Sequence, residues 1–436
     1  MIVRLVQSYF ILEISYYELK WLLLGEWLAS GFVMYKQTYD YTGPIAAAIY
    51  KGLNLLFGRS PMVNYVLSTI LITVQAGIFN SLLLKNKVYN ENSYLPAFLY
   101  AILAVSVVDY MTLSPALMSL TFILMALSNI IRRIDNQATD ELFLSSGIYI
   151  GVATMIYLPS GVFLLVYLFS LILFSSAVPR RLLLYVFGFL LVFVFCGLYY
   201  YLFDSFQFFV DRALLRGVFL PSRLSLDTLQ ILTLGAPFAL MLLLSLLKKF
   251  GQLRLTNFQQ KVEQVMWFIF VGGIATFFLS NERVALELYF VVPVVAYFWT
   301  HYFVLLRRSF FKVVMPFLLV FGVLSSSLYF YHDTATSLLV TNTGENKKVM
   351  MIGEKLEIYT NTEVATPFLN AVISEDINKE LDTYTGAENF NSLFLKIQPD
   401  EIWDEQGVFE KIFFRLPEIE RTYQRQETNK YRRTSN

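Results

Sequence analysis

The sequence predicts an all-α polytopic membrane bundle of about 10–11 transmembrane helices with a small C-terminal extracytoplasmic α/β domain. Three observations predict it. Apolar spans follow one another from Met62 to His332. Charged residues fall almost only in the gaps between those spans. After His332 the chain returns to an ordinary globular composition. Spans such as Val63–Leu84, Leu182–Phe203 and Val313–Tyr331 are long enough to cross ~30 Å of hydrocarbon as helices. A helix satisfies its own backbone hydrogen bonds, so it tolerates lipid where an open sheet does not. The chain is 56% hydrophobic and 17% aromatic, with 40 Phe and 28 Tyr to populate lipid-facing and interfacial positions.

The spans read as 62–84, 93–111, 113–131, 142–159, 161–178, 182–203, 229–247, 264–280, 286–306 and 313–331. Pro159 and Pro179 sit at span ends, where a missing N–H costs little. Pro115, Pro237, Pro293 and Pro316 fall inside spans and are expected to kink them. Every odd gap is basic: Lys85 and Lys87, Arg132 and Arg133, Arg180 and Arg181, then Lys248, Lys249, Arg254 and Lys261, then Arg307, Arg308 and Lys312. The even gaps are short and weakly charged, apart from 204–228, in which Asp204, Asp211 and Asp227 balance Arg212, Arg216 and Arg223. Positive residues mark the cytoplasmic side, so the region before Met62, the even gaps and the tail after His332 are expected outside. The expected location is a bacterial inner (cytoplasmic) membrane, crossed many times, with the C-terminal domain periplasmic.

Four regions follow: 1–61, an N-terminal segment and first outer loop with amphipathic helices; 62–332, the bundle; 333–423, the outer α/β domain; and 424–436, a polar, frayed tail. Within the tail domain Lys348–Gly353, Leu356–Thr360, Phe394–Ile397 and Glu401–Trp403 read as extended. Asn370–Leu381 and Val408–Phe414 read as helical. Met1–Tyr16 is a poor full span interrupted by Glu13, and the outside placement of 31–61 favours a start that omits a first helix.

Charge and composition narrow the function. A net charge of +1 gives no polybasic footprint, so nucleic acid is not an expected partner; membrane lipid is. The single cysteine, Cys196, lies in an apolar run and reads as packing. His301 and His332 are too few and too far apart for a metal site. No phosphate-binding glycine loop and no internal repeat of a transporter is visible.

The stretch Tyr17–Ser60 carries Gly31, Tyr35, Asp40, Gly43, Pro44, Phe57, Gly58 and Ser60 in that order. In this it resembles the first outer loop of the C-type glycosyltransferase superfamily, above all the polyprenyl-phosphate-sugar-dependent branch. The resemblance implies a polyprenyl-phosphate sugar donor, with a divalent metal ion as a possible companion, and an acidic pair just after the first membrane helix. That pair falls on Tyr17 and Glu18, so its first carboxylate is absent. Glu18, Glu26 and Asp40 are the candidate catalytic carboxylates. For Glu18 and Glu26 the alternative is a water-facing interfacial helix with Lys20 nearby.

From Met62 onward the chain is also similar to a group of polytopic inner-membrane proteins of Bacteroidota. The carriers are Gln75–Asn80, Lys85–Lys87, Leu113–Ala116, Tyr157–Pro159, Pro293–Phe303, Ala365–Asn370 and Pro399–Glu405. That similarity implies no reaction.

A lipid-phosphate leaving group calls for arginine, whose guanidinium fork matches phosphate oxygens. Arg212, Arg216, Arg223 and Arg283 are the candidate lipid-phosphate ligands, with Arg59 on the same side. Headgroup contact or pairing with local acids is the alternative for each. Glu287, expected in the first turn of the ninth span with Arg283 as its partner, and Asp109 are further ionisable groups at the outer end. Tyr17–Ser60, 204–228 and Asn281–Glu287 are expected to line one outward cavity. The leading expectation is a glycosyltransferase-like protein of envelope glycan assembly. A non-enzymatic membrane subunit supporting envelope assembly or secretion is the rival, because Tyr17 stands at an acidic position. A flippase or polymerase of surface polysaccharide is a third.

Overall fold

The computed structural model describes residues 15–89, 93–105, 112–134, 139–174, 178–216, 223–224, 256–280, 282–304, 347–353, 356–360, 362–369, 381–405, 407–427 and 429–434, with isolated positions between 239 and 325. The chain divides into two compact units. One is built on Met62–Tyr199 and Leu214–Thr336, the other on Ile14–Pro61, Tyr200–Ala213 and Ser337–Asn436.

The first unit is the helical bundle. Among the described residues four helices are long and apolar enough to cross a membrane: Pro61–Lys85, Pro115–Ile134, Pro179–Leu202 and Asn257–Leu279. Asp140–Ile156 and Val162–Phe174 stand between the second and third of these, joined by a 3-10 turn at Leu158–Gly161. Three of the four long helices begin on a proline, where the ring sets a helical φ and the missing N–H is an orphan in any case. Pro115 therefore opens its helix instead of kinking it. Pro293 is likewise no kink: it is the second residue of Val292–Val304, which follows a 3-10 stretch at Ala285–Val291. Pro237 and Pro316, and the spans 229–247 and 313–331, lie outside the described residues save for isolated positions.

Among the described residues, several contacts link gaps of the same parity. At one end of the unit Arg181 pairs with Asp140 at 2.8 Å, Gln259 donates to the Val88 carbonyl, and Tyr89 donates to the Tyr297 carbonyl. The first two join odd gaps, and the third links the first odd gap to the middle of the Val292–Val304 helix. At the other end the Tyr157 hydroxyl meets Glu287, and Arg223–Leu224 (β1) pairs in parallel with Glu282–Arg283 (β2), which joins even gaps. Buried tyrosines in such an interior find acceptors within it. Tyr100 donates to Gln75, Tyr167 to the Ile123 carbonyl, Tyr185 to Leu164 and Tyr289 to Ala104. Gly147 and Gly151, one turn apart, let the Pro179–Leu202 helix approach backbone to backbone, and Gly188 returns the fit: a Cβ on Gly147 would fall on the Tyr185 carbonyl, and one on Gly188 on that of Leu144.

The second unit combines the first loop with the tail. Its sheet has five strands: Lys348–Ile352 (β3), Glu363–Val364 (β4), Glu401–Asp404 (β5), Tyr423–Glu427 (β6) and Lys430–Arg433 (β7), in the order β4-β3-β5-β7-β6. β3 runs parallel to both its neighbours, whereas β7 is antiparallel to β5 and β6. Helices Tyr384–Ile397 and Val408–Arg415 cover it through Phe390, Phe394, Phe409 and Ile412. The tail does not build this core alone. Trp27 and Tyr39 from the first loop belong to the same buried cluster, and Tyr39 donates its N–H to Pro367 at 2.8 Å.

Three tail expectations are corrected. Leu356–Thr360 is a 3-10 turn, which carries Tyr359 to where its hydroxyl accepts from Met351 N–H and donates to the Val349 carbonyl. Phe394–Ile397 is the end of a helix, capped at its start by Thr383, with Phe390, Leu393, Phe394 and Ile397 on one face. Residues 424–433 form the edge hairpin β6–β7 rather than a frayed tail, anchored by buried Tyr423 and Tyr431. The expected helix Asn370–Leu381 lies almost wholly outside the described residues.

Candidate functional site

The first loop begins with Ser15, whose side chain caps the Tyr16–Ala29 helix by accepting from Glu18 N–H at 3.2 Å. This helix crosses Pro44–Phe57 at Gly25, where a Cβ would lie 2.6 Å from the Tyr50 carbonyl oxygen. Trp21 stacks flat on Tyr50 beside the crossing. The residues that carry the family resemblance set the turns between these helices. Gly31 and Tyr35 have φ of 92° and 65°, Gly43 precedes the Pro44 that opens the second helix, and Gly58, with φ 66°, ends it. Tyr35 is held in its left-handed conformation by a 2.6 Å hydrogen bond to the Thr42 carbonyl and by ring contacts with Tyr200 and Phe209.

The three candidate carboxylates have different surroundings. Asp40 is buried, accepts from Thr42 Oγ1 at 2.6 Å and from Tyr41 N–H at 2.9 Å, and lies 3.6 Å from the Lys20 ammonium. Glu26 pairs with Arg59 at 2.5 Å, and Arg59 also donates to the Tyr359 carbonyl. Both are engaged in holding the unit together. Glu18 differs: among the described residues no ion pair holds its carboxylate, and burial pushes its pKa up from 4.5 to about 7. Its charge and that of Asp40 both act on the buried Tyr50 hydroxyl. Lys20, placed by sequence beside a water-facing Glu18, is buried against Asp40.

The candidate arginines divide between the units. Arg212 is buried in the π-helical segment Phe209–Arg216 of the loop-and-tail unit. It donates to the Tyr35 carbonyl and lies 4.1 Å from the Tyr39 ring and 5.1 Å from that of Phe208. A backbone oxygen and two aromatic faces are thus among the groups that meet its charge. The Arg216 and Arg223 side chains lie outside the described residues, although the Arg223 backbone is fixed in β1. In the bundle unit Arg283 lies against the Phe278 ring at 5.6 Å. Glu287 accepts from the Tyr157 hydroxyl and from Ser280 Oγ at 3.1 Å. Tyr157, part of the Tyr157–Pro159 run, is a partner of Glu287 that its sequence position did not indicate. His301 sits between the rings of Tyr89 and Tyr297, Cys196 is half-buried in the Pro179–Leu202 helix, and Asp109 and His332 lie outside the described residues.

Among the described residues no three of His, Cys, Asp or Glu converge in a way that could hold an ion.

No family model matches the chain, and no curated protein matches it. Among solved structures it is similar to the oligosaccharyltransferase of Archaeoglobus fulgidus tethered by a disulfide to an acceptor peptide containing the NVT sequon. That match has a TM-score of 0.46 and 11% identity over 89% of this chain and 64% of the other. A second structure of the same enzyme, in complex with Zn and sulfate, gives 0.45 and 11% over 94% and 67%. The chain thus spans about two thirds of that enzyme's length.

Proposed function

We propose that this chain is a glycosyltransferase-like protein of cell-envelope glycan assembly, acting on a sugar carried by a lipid phosphate, with Glu18 as general base. The bundle lies in the bacterial inner membrane, and the loop-and-tail unit faces the periplasm. One observation carries the reading: of three carboxylates in the loop, the one at the family's acidic position is the one left without an ion pair among the described residues, at a pKa of about 7. A base poised near neutral pH takes a hydroxyl proton most effectively. In the transfer, the acceptor oxygen gives its proton to Glu18 and bonds to the anomeric carbon. The bond from that carbon to the phosphate oxygen breaks, and the phosphate leaves on its lipid.

The test is turnover of a polyprenyl-phosphate sugar by the full chain in nanodiscs. Turnover should rise with pH through about 7, as Glu18 deprotonates, and Glu18→Gln should remove both the activity and that limb. Activity of the Gln variant equal to wild type refutes the base. Alkaline-phosphatase fusions after Asp333 should be active and after Lys87 inactive; the reverse overturns the orientation.

A second reading is favoured by Tyr17. With the first acidic position filled by a phenol, the chain serves as a non-enzymatic subunit of envelope assembly. Carrier binding without turnover at any pH would support it over the first.

A further inference from the structure

The bundle unit holds a polar cluster that the Glu18 chemistry does not use. Glu287 is 7% exposed in the 3-10 stretch Ala285–Val291. One carboxylate oxygen accepts from Ser280 Oγ, the other from the Tyr157 phenol, whose ring stacks on Phe290. Close in the chain to these groups are two others with unmet capacity. Ser160, in the 3-10 turn that follows Tyr157, is completely buried, and its hydroxyl has no hydrogen-bond partner among the described residues. The Arg283 Nε, four residues before Glu287, is buried and equally without one. The pairing of β1 with β2 fixes the backbone at Arg283 from the side of Arg223–Leu224.

A carboxylate buried in an apolar bundle is costly, and each buried donor or acceptor left unmatched adds to that cost. Such groups persist where something completes them. The set here is a carboxylate acceptor, three hydroxyls and a guanidinium donor. It matches adjacent hydroxyls of a sugar, which donate to the carboxylate and accept from the arginine and serine. A bare cation would leave the arginine unmatched, and a hydrocarbon chain would leave both Ser160 and the Arg283 Nε so.

We propose that Tyr157, Ser160, Ser280, Arg283 and Glu287 bind the sugar hydroxyls of the lipid-linked donor, so that the bundle unit distinguishes a glycosylated carrier from a bare one. This rests on the lipid-linked-sugar reading above, not on Glu18. The experiment measures binding of a short-chain prenyl-phosphate hexose and of the bare prenyl phosphate to the full chain in nanodiscs. Wild type should prefer the glycosylated carrier. Glu287→Gln should cut that preference about tenfold, the scale of one charge-assisted hydrogen bond, and leave bare-carrier binding unchanged. Ser160→Ala removes a group with no partner among the described residues, so the fold should be kept while the preference falls several-fold. It decides the matter if Glu287→Gln fails to fold. An unchanged preference in Ser160→Ala, with Glu287→Gln either unchanged or unfolded, overturns the proposal. Equal binding of both carriers to wild type overturns it and spares the carrier reading. Binding of neither overturns both.

Discussion

Replacing Trp27 by alanine should loosen a sheet whose strands lie more than three hundred residues further along the chain. Trp27 is 2% exposed, stacks on Phe32 with ring centroids 3.8 Å apart, and donates its indole N–H to the Gln37 carbonyl. Phe32 in turn carries the Lys396 ammonium at 4.4 Å. A tryptophan buries about 150–250 Å². At ~25 cal/mol per Å² that is roughly 4–6 kcal/mol of transfer free energy. Measured losses for Trp→Ala in cores run at about 3–5 kcal/mol, and the lower range is the safer one because the shelf can partly collapse. The assay is hydrogen exchange of the full chain in nanodiscs, read on the amides of Lys348–Ile352. At about 1.4 kcal/mol per tenfold, their exchange should accelerate by roughly two to four powers of ten if they open with the whole unit. Leu56→Ala, at a side chain 76% exposed, is the control and should leave them unchanged. Acceleration of less than tenfold in Trp27→Ala would show that the loop residue is no part of the core.

Gly147→Ala should lower the bundle's thermal midpoint by the ~1–3 kcal/mol typical of overpacking, since its Cβ would meet the Tyr185 carbonyl; Gly77→Ala, in open space, should not. Gln75→Leu breaks bonds to Leu117, Thr121 and Tyr100. At about 0.6 kcal/mol per membrane hydrogen bond the loss should approach 2 kcal/mol in reversible unfolding from bicelles. The raised Glu18 pKa means that the folded state holds an extra proton between pH 4.5 and about 7. Stability should therefore fall as pH rises through that window, and denaturant midpoints of Glu18→Gln should lose that slope. Tyr431→Ala empties a buried position in the hairpin and should expose Tyr423–Glu427 to limited proteolysis, whereas Phe414→Ala, at a side chain 88% exposed, should not.

The bundle was legible because lipid imposes a simple rule on sequence: long apolar stretches with charge between them. Contacts such as Arg181–Asp140 and Tyr157–Glu287, between residues 41 and 130 positions apart, became visible only in the fold. Local backbone chemistry overruled the reading elsewhere. Pro115 looked interior only because the span was started two residues early. The helix Tyr384–Ile397 was lost by reading its last four residues alone, without the 390, 393, 394, 397 spacing. The β6–β7 hairpin is polar because an edge strand guards against further pairing with charge, and such strands look like loops. In the loop, residue types signalled the turns well and the chemistry poorly. Asp40 and Glu26 looked like candidate bases, but their ion partners, Lys20 and Arg59, lie 20 and 33 positions away and became visible only in three dimensions.

The shared core of loop and tail also sets a timetable for biosynthesis. A ribosome adding about 5–20 residues per second needs roughly 15–65 s to travel from Trp27 to Met350. Throughout that interval the membrane helices of the bundle are inserted while the indole and the Tyr39 ring wait without their strands. The loop must be kept from mispairing until the last hundred residues arrive. A stop codon between Thr336 and β3 would leave the bundle with Trp27 and Tyr39 uncovered, a form that quality-control proteases could recognise without unfolding a transmembrane helix.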